Sequence, residues 1–243
     1  MKTVLQLVTV ILPLLLVNGD DGLPNHYTTN PSIVLIKSCC DLRIYVPARV
    51  PSGVYKMSMG TFGSANVYCD MTTADGGWIV IQRNRNGSFA SFNRNWREYE
   101  DGFGDLTTEF WYGLKLMHAL TQTGQWEMRV DFKKKDGSLA YIHYDQFKVG
   151  CASERYKLTV KEYTDGDGDY FTGGSEPANS RMFTTLDNDN DAWNSNCAIR
   201  FKSGWWFDSC FNINPNLQPP YYNHPRVALM IDIKIRPKDC IIC

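Results

Sequence analysis

The sequence predicts an α+β domain with several strands and few helices. Several stretches alternate polar and apolar residues as half-buried strands do, whereas only one stretch has a convincing helical pattern. Residues 164–226 are rich in Gly, Asn, Asp, Pro and aromatic residues and have little periodicity. A loop region this long inside a compact domain is normally functional or cross-linked. The 243 residues, 43% of them hydrophobic, suffice for one sizeable core and no more than two domains.

Residues 1–19 are typical of a cleaved secretory signal. Lys2 precedes an apolar run from Val4 to Val17, and small residues follow near Gly19. The alternative, an uncleaved signal anchor, is disfavoured because the run is shorter than the roughly 20 residues that cross a bilayer. Residues 20–37 then predict a short tail, and the globular body begins at about Ser38. No later stretch has spanning length, so we expect a secreted, extracellular protein without a membrane span.

Two stretches alternate strictly and predict half-buried strands, EMRVDFK (127–133) and IDIKIRP (231–237). In the second, Ile231, Ile233 and Ile235 are predicted to face inward. Asp136-Gly137 is a strong signal for a hairpin between two strands. β-branched and aromatic residues predict further strands at ANVYCDM (65–71), WIVIQRN (78–84), LAYIHYDQF (139–147) and YKLTVKEY (156–163).

The convincing helix is predicted from about Thr108 to Thr123, with Thr107 or Thr108 as its N-terminal cap and Gly124 as its stop. A shorter helix is predicted at NWREYEDG (95–102). The apolar face of the long helix would comprise Phe110, Leu114 and Met117.

The stretch TTLDNDNDAWNSNC (184–197) places Asp187, Asp189 and Asp191 at alternate positions, where they repel one another. It is either a solvated acidic loop or a site for Ca²⁺, which accepts six to eight oxygens from irregular backbone. Spacing alone does not separate the two. A rival, DGDGDYFTGGSE (165–176), has acids at four EF-hand positions, but Tyr170 stands where glycine is needed and no amphipathic helix flanks it.

Eight cysteines in an exported chain indicate disulfides. There is no CxxC pair or HExxH motif, which disfavours zinc. Cys197 and Cys210 enclose a short loop and would pin the acidic loop to Trp205, Trp206 and Phe207. Those aromatic residues either form a sugar-stacking platform or, as is more common, belong to the core. The cysteines are 39, 40, 69, 151, 197, 210, 240 and 243.

Composition and motifs exclude several function classes. The net charge of −1 gives no case for nucleic acid or anionic membrane as a partner. No GxSxG, metalloprotease or phosphate-loop motif is present, so we expect no enzyme. Paired acids such as Asp187 and Asp189 can perform glycoside chemistry in principle, but calcium would occupy them. Asn86, in NGS, is the one candidate for N-glycosylation.

Several long, ordered stretches resemble the fibrinogen C-terminal (fibrinogen-related) domain of fibrinogen chains, ficolins, tachylectins, angiopoietins and tenascins. The resemblance covers about residues 38–238. It implies a central twisted antiparallel sheet to which the last strand returns, few short helices, and a loop-rich calcium-binding C-terminal subdomain at about 164–226. The stretches that carry it are SGVYKM, VYCDMTTADGGWIVIQRNRNGS, FNRNWREYEDGFGDLTTEFWYGL, YDQFKVG, RMFTTLDNDND, NCAIRFKSGWW and DIKIRP.

The same resemblance implies Ca²⁺ as cofactor. Its ligands would be the carboxylates of Asp189 and Asp191 and the carbonyls of Trp193 and Ser195. Asp187 would be a neighbour that strengthens the negative electrostatic field at the calcium site or holds the loop in place. The resemblance also implies a Cys197–Cys210 bridge and a bridge from Cys69 to Cys39 or Cys40.

The chain departs from the family pattern at the pocket that holds an acetyl group in lectin-like members. Immediately after Cys210, where the family pattern has a histidine, this chain has Phe211. Four residues after Cys197, where the pattern has a tyrosine, this chain has Phe201. Each change removes a polar group, and an unpaired oxygen in an apolar pocket costs roughly 1–3 kcal/mol. A segment before the last strand is also about twenty residues shorter than the family pattern, and Tyr221 and Tyr222 are the candidates to replace it.

The resemblance therefore predicts a secreted, calcium-binding recognition protein, lectin-like, that binds acetylated or other glycans in defence or adhesion. The alternative is a fibrinogen-like module for extracellular proteins that has lost its sugar pocket. Four cysteines remain after the family-type bridges: Cys151, Cys240, Cys243 and one of the pair at 39 and 40. They would pair within the chain or link a homo-oligomer, in which avidity adds about 10²–10⁴ to weak single sites.

Overall fold

The computed structural model describes residues 36–46, 50–87 and 91–240. Within these ranges the helices are α1 (Cys39–Tyr45), α2 (Trp96–Asp101), α3 (Leu114–Thr121) and α4 (Cys197–Phe201). The strands are β1 (Gly53–Ser58), β2 (Ser64–Asp70), β3 (Trp78–Asn84), β4 (Phe103–Gly104), β5 (Phe110–Trp111), β6 (Trp126–Lys134), β7 (Leu139–Val149), β8 (Leu158–Gly166), β9 (Tyr221–Asn223) and β10 (Arg226–Pro237). The signal and most of the tail, residues 1–35, lie outside the described residues, as does Cys243.

The fold is the α+β arrangement that the sequence predicts, an antiparallel sheet with few short helices. The main strand order is β1-β2-β3-β10-β6-β7-β8. The last strand, β10, lies between β3 and β6, so the predicted return of this strand to the centre of the sheet is confirmed. The six predicted strand stretches all fall on β2, β3, β6, β7, β8 and β10.

The alternation along β10 separates a core face from a charged face. Ile231, Ile233 and Ile235 are at most 2% exposed and pack in the hydrophobic core, as predicted. Asp232 and Lys234 alternate with them and therefore point to the opposite side of the sheet. The predicted Asp136-Gly137 hairpin is also present, because Gly137 turns the chain and its amide donates to the carbonyl of Lys134 at 3.0 Å.

The prediction for the longer helix is wrong at its N-terminus. α3 begins only at Leu114, after Gly113, which has φ +100° and acts as the cap without a side-chain hydrogen bond. Phe110 lies in β5, where it pairs with Arg83 of β3. Thr107 and Thr108 do not cap a helix: they form a turn around Asp105. Phe110 is buried as expected, but in a strand, because sheet pairing satisfies its backbone and Gly113 separates it from the helix.

The predicted shorter helix is confirmed as α2. Asn95 caps it: its side chain accepts from the amide of Glu98 at 2.9 Å, and the Glu98 carboxylate accepts from the amide of Asn95 at 3.0 Å. This reciprocal capping satisfies two amides that have no partner inside the helix.

Three disulfides are present among the described residues. Cys197–Cys210 is present as implied, and Cys69 pairs with Cys39 rather than Cys40. Cys40 instead bridges to Cys240. This bridge uses two of the four cysteines that could have joined another chain, and Cys151 has no disulfide partner within the part of the chain that the structure describes.

The loop-rich region packs on the sheet through buried aromatic and amide side chains. Trp205, Trp206 and Phe207 are at most 1% exposed, so they belong to the core and are not a stacking platform. Asn84 of β3 donates to the carbonyl of Leu217 at 2.6 Å and to that of Pro215 at 2.9 Å. These bonds anchor the region to the central sheet and supply partners for its backbone, which has little secondary structure of its own.

Two further predictions concern glycosylation and membrane spanning. Asn86 is exposed just after β3, as a glycosylation acceptor must be, although Ser88 of its motif is outside the described residues. Among the described residues, no helix has the length and apolarity that crossing a membrane requires.

Candidate functional site

The acidic loop, residues 184–197, leads from the core to α4. Its first residue is held by Trp205: the amide of Thr184 donates to the Trp205 carbonyl at 2.9 Å, and the reverse bond measures 3.1 Å. At its other end, Asn196 caps α4 by accepting from the amide of Ile199 at 3.0 Å. Asn196 also donates to the carbonyl of Thr185 at 2.9 Å, which closes the loop on itself.

Asp191 lies at the centre of the loop. One of its oxygens accepts from the amide of Trp193 at 3.0 Å, and the other accepts from the amide of Cys197 at 2.9 Å. Burial, and then the negative charge of Asp189, raise the pKa of the Asp191 carboxyl to about 6, although the two amides oppose this. A cation between the two carboxylates would offset both effects.

The other predicted ligands fit a hard cation. The Asp189 carboxylate lies within hydrogen-bonding reach of Asp191, on the exposed side of the loop. The carbonyls of Trp193 and Ser195 accept no hydrogen bond from the residues that the structure describes. Two carboxylates and two free carbonyls are oxygen donors of the kind that Ca²⁺ takes.

Asp187 is held by neighbours within the protein. Its Oδ1 accepts from the amide of Trp96, the first residue of α2, at 2.8 Å, and from the hydroxyl of Thr185 at 2.7 Å. This carboxylate therefore ties the acidic loop to the N-terminus of α2, where a negative charge is favourable. The position agrees with the prediction that Asp187 holds the loop.

The rival acidic stretch at 165–176 has its carboxylates engaged within the protein. The Asp165 carboxylate accepts from the hydroxyl of Tyr141, Asp167 pairs with Lys134, and Asp169 accepts from Tyr144 and Thr172. For all three the pKa is lowered, because these bonds outweigh the effect of burial. The geometry therefore disfavours an EF-hand here.

A third group of potential metal ligands comprises Glu127, His143 and Asp145, whose ligand atoms lie within 4.8 Å of one another. Each carboxylate already has a cation. Arg236 pairs with Glu127 at 2.6 Å, and Lys238 pairs with Asp145 at 2.8 Å. The His143 ring also contacts Glu127 at 2.8 Å. The group is an ion-pair network on the sheet, separate from the acidic loop.

Next to the Cys197–Cys210 bridge is a pocket of about 270 Å³, here called the aromatic pocket. Phe201 and Phe211 meet edge to face, with ring centroids 4.8 Å apart. The Arg200 guanidinium lies 5.1 Å from the Trp193 ring centroid and 5.5 Å from that of Phe201. The lining residues are Glu176, Trp193, Arg200, Phe201, Ser209, Cys210, Phe211 and His224.

The structure brings together three of the five predicted ligand-binding residues, Phe201, Cys210 and Phe211. Tyr221 adjoins the pocket, since its ring stacks on that of His224 at 5.5 Å and contacts Phe211. Tyr222 points elsewhere: it is buried and stacks on Phe132 at 4.6 Å, because neighbouring residues of a strand face opposite sides. It therefore does not replace the shortened segment in the pocket.

Sequence reasoning missed four polar residues of the pocket. His224 is the most informative, because its ring centroid lies 5.4 Å from that of Phe211. An imidazole therefore stands beside the position at which the family pattern has its own histidine. The sequence signal for His224 was the YYNHP stretch (221–225), an aromatic and polar turn just before the last strand. The other missed residues are Glu176, Arg200 and Ser209.

The comparison with protein families agrees with the fold and with the sequence pattern. Residues 36–228 match the model of the fibrinogen beta and gamma chains, C-terminal globular domain. The chain belongs to the fibrinogen C-terminal globular domain family. Similar curated proteins are tenascin-R of Gallus gallus, 42% identical over 168 residues, and ryncolin-4 of Cerberus rynchops, 36% identical over 200 residues. The matches cover 68% and 82% of this chain, but only 12% and 53% of those relatives.

Solved structures of the family superpose well on this fibrinogen-like domain. The fibrinogen-like globe domain of human ANGPTL6 has a TM-score of 0.76 at 30% identity, covering 83% of this chain and 95% of that one. Lamprey fibrin D-dimer, solved with the peptide ligand Gly-His-Arg-Pro-amide, has a TM-score of 0.76 at 26% identity. That match covers 87% of this chain and 76% of the lamprey chain.

Proposed function

We propose that this fibrinogen-like domain is a secreted, calcium-binding recognition protein whose aromatic pocket takes an acetylated or other glycan. One observation carries the proposal: Asp191 is bonded to one residue of the pocket wall and to the disulfide partner of another. It accepts from the amide of Trp193, whose ring lines the pocket, and from that of Cys197, whose disulfide partner Cys210 also lines it. A cation held by Asp191 therefore fixes the wall before any ligand arrives.

In this proposal calcium acts indirectly. Bound at Asp189 and Asp191, with the carbonyls of Trp193 and Ser195, it offsets the repulsion between the carboxylates and holds the loop in one conformation. Ligand binding then costs less free energy, because the pocket is already ordered before the ligand arrives. The protein's own groups make the contacts with the glycan.

The pocket chemistry suits an acetamido or acetyl group. The rings of Phe201 and Phe211 offer an apolar surface for the methyl group. His224 and Ser209 provide polar groups for the oxygen, which would otherwise be buried without a partner at a cost of about 1–3 kcal/mol. His224 thereby compensates for the loss of the usual polar groups at positions 201 and 211.

Binding rather than catalysis is proposed because the acids of the loop are engaged in structure. Asp187 accepts hydrogen bonds from Trp96 and Thr185, and Asp191 from two backbone amides. Three disulfides support an extracellular location, since such bonds persist in oxidising compartments. Linkage into a homo-oligomer would now depend on Cys151 and Cys243.

A peptide or protein ligand is the second candidate. Lamprey fibrin D-dimer, a structural relative, is solved with the peptide ligand Gly-His-Arg-Pro-amide. In this chain, Glu176 places a carboxylate at the pocket, where it could pair with the cationic group of a peptide. Arg200 could similarly pair with an acidic partner.

The deciding experiment is retention on N-acetylglucosamine beads in millimolar calcium, followed by elution with a chelator. Glucosamine beads are the matched control, because they differ only by the acetyl group. We expect retention on the acetylated beads alone and release by the chelator. If a folded, calcium-bound protein passes through both columns, the glycan proposal is wrong and peptide partners become the leading candidates.

A further inference from the structure

The solvent side of the sheet carries a second concave surface, here called the groove, of about 530 Å³. It shares no lining residue with the aromatic pocket. A concavity of this size is within the range of small-molecule sites in proteins, roughly 300–1,000 Å³. Its lining residues include Tyr68, Arg83, Arg129, Leu139, Tyr141 and Met230.

Two arginine–tyrosine pairs give the groove rigid walls. The Arg83 guanidinium lies 4.2 Å from the Tyr68 ring centroid, and that of Arg129 lies 3.8 Å from the Tyr141 ring centroid. Arg83 is only 6% exposed and contacts Asp232, which also pairs with Arg85. Cation–π contacts and ion pairs restrict these side chains before any ligand binds.

The groove has an excess of positive charge in its lining. Four basic residues face three carboxylates, so one positive charge is left over. Arg83 and Arg85 share the carboxylate of Asp232, and Arg129 and Lys234 share that of Asp131. The Arg129 side chain is 16% exposed, and its Nε donates to Asp131 at 2.8 Å. The guanidinium edge of an arginine matches the two oxygens of a carboxylate.

One end of the groove is apolar. Met230 and Leu139 both pair with Lys133 of β6, so they stand in the same cross-strand row. Leu139 is 80% exposed. The next row contains Asp232, Asp131 and Tyr141, and Arg129 follows in the row after that. The Arg129 guanidinium lies over the Tyr141 ring and bonds Asp131, so it is about one row, or roughly 7 Å, from the apolar side chains.

We propose that the groove binds an amphiphilic carboxylate, a small organic acid whose carboxylate meets Arg129 and whose apolar chain lies over Met230 and Leu139. The carboxylate would neutralise the excess charge. The chain would cover the exposed Leu139 side chain, and burial of apolar surface would add to the affinity. Sodium octanoate is a suitable probe, because its apolar chain is long enough to reach from the charged end to the apolar end.

The test is calorimetric titration of the full chain with octanoate in calcium. Acetate, which lacks the chain, and octanol, which lacks the charge, are the matched probes. We expect octanoate to bind about tenfold more tightly than either, because only octanoate uses both ends. Equal binding of octanol and octanoate, or no binding of octanoate, would overturn the proposal.

Two variants locate the site. Arg129→Gln is expected to weaken octanoate binding about tenfold, because a charge-assisted hydrogen bond is lost. Leu139→Ser is expected to weaken it about threefold, and the variant should fold normally because this side chain is mostly exposed. Arg97→Gln is the matched control, since Arg97 lies on α2 and its side chain is 88% exposed. If neither groove variant weakens binding, the groove is not the site.

Discussion

The charged side of the sheet and the acidic loop both bury carboxylates, but they compensate them differently. On the sheet, Asp70 is 9% exposed and pairs with Lys234 at 2.7 Å. Burial opposes ionisation, yet the ammonium of Lys234 and hydrogen bonds from Thr72 and Thr73 lower the pKa of Asp70. In the loop, burial and Asp189 raise the pKa of Asp191. Burial is the largest effect at both sites, so the sign of the shift depends on whether a cation is nearby.

This difference explains why a bound cation is expected in one region and not in the other. The sheet has its own cations, such as Lys234 and Arg236, fixed by the strand register. The acidic loop has no ion pair to Asp189 or Asp191 within the described residues. Its carboxylates are held in place by backbone amides, an arrangement that suits a cation from solution.

Removal of the Lys234 ammonium should have the largest effect. Lys234 is 3% exposed and lies 2.7 Å from an Asp70 oxygen and 2.8 Å from an Asp131 oxygen. We expect Lys234→Met to lower the free energy of unfolding by about 3–5 kcal/mol, because two carboxylates lose a buried partner. Urea unfolding measures this. Lys238→Met is the control and should change the free energy of unfolding far less, because its pair with Asp145 is more exposed.

Asp191→Asn should remove the effect of calcium. At a calcium concentration about 100 times the dissociation constant, calcium should stabilise the wild-type protein by about 2.7 kcal/mol relative to chelator. The variant should show almost none of this and should no longer bind acetylated beads. Asp167→Asn, in the rival acidic stretch, is the control and should respond to calcium normally. Lost bead binding with a normal calcium response would mean that calcium does not organise the pocket.

The paired carboxylate of Asp70 predicts acid sensitivity. Its pKa is lower in the folded state than in the unfolded chain. Its contribution to stability is therefore fully present above the unfolded pKa, about 3.9, and is lost as the pH falls below it. When the pH falls from about 5 to 2.5, the free energy of unfolding should decrease by about 2 kcal/mol less in Asp70→Asn than in the wild type. Parallel pH profiles from urea unfolding would contradict the assignment.

The sequence predicted the strands well because each pattern is local. Alternation placed Ile231, Ile233 and Ile235 in the core, and Asp136-Gly137 specified a hairpin. The start of α3 could not be read in the same way. Phe110 fits the apolar face of a helix or a buried strand equally well, and only its pairing with Arg83 selects the strand.

The site could be predicted only where its residues are close in sequence. Asp189 and Asp191 are two positions apart, so their spacing made them candidates for a metal site, and the family resemblance then singled them out as the ligand pair. The aromatic pocket instead joins Glu176 and His224, which are far apart in the chain and meet only in the fold. The Cys40–Cys240 bridge could not be read from sequence either, since spacing does not specify disulfide connectivity.

Asp187→Ala should have the smallest effect and should sharpen the boundary of the metal site. The variant loses two hydrogen bonds, from the amide of Trp96 and the hydroxyl of Thr185, which lie 2.8 and 2.7 Å from the carboxylate. Because the Asp187 side chain is itself exposed, we expect a loss of about 1 kcal/mol in the free energy of unfolding. Asp187→Asn keeps an acceptor oxygen and should recover most of it. Both variants should keep the full stabilisation by calcium, because Asp187 is a support of the loop. If Asp187→Ala abolishes the calcium response while Asp187→Asn preserves stability without calcium, Asp187 is a ligand and the site extends to the N-terminus of α2.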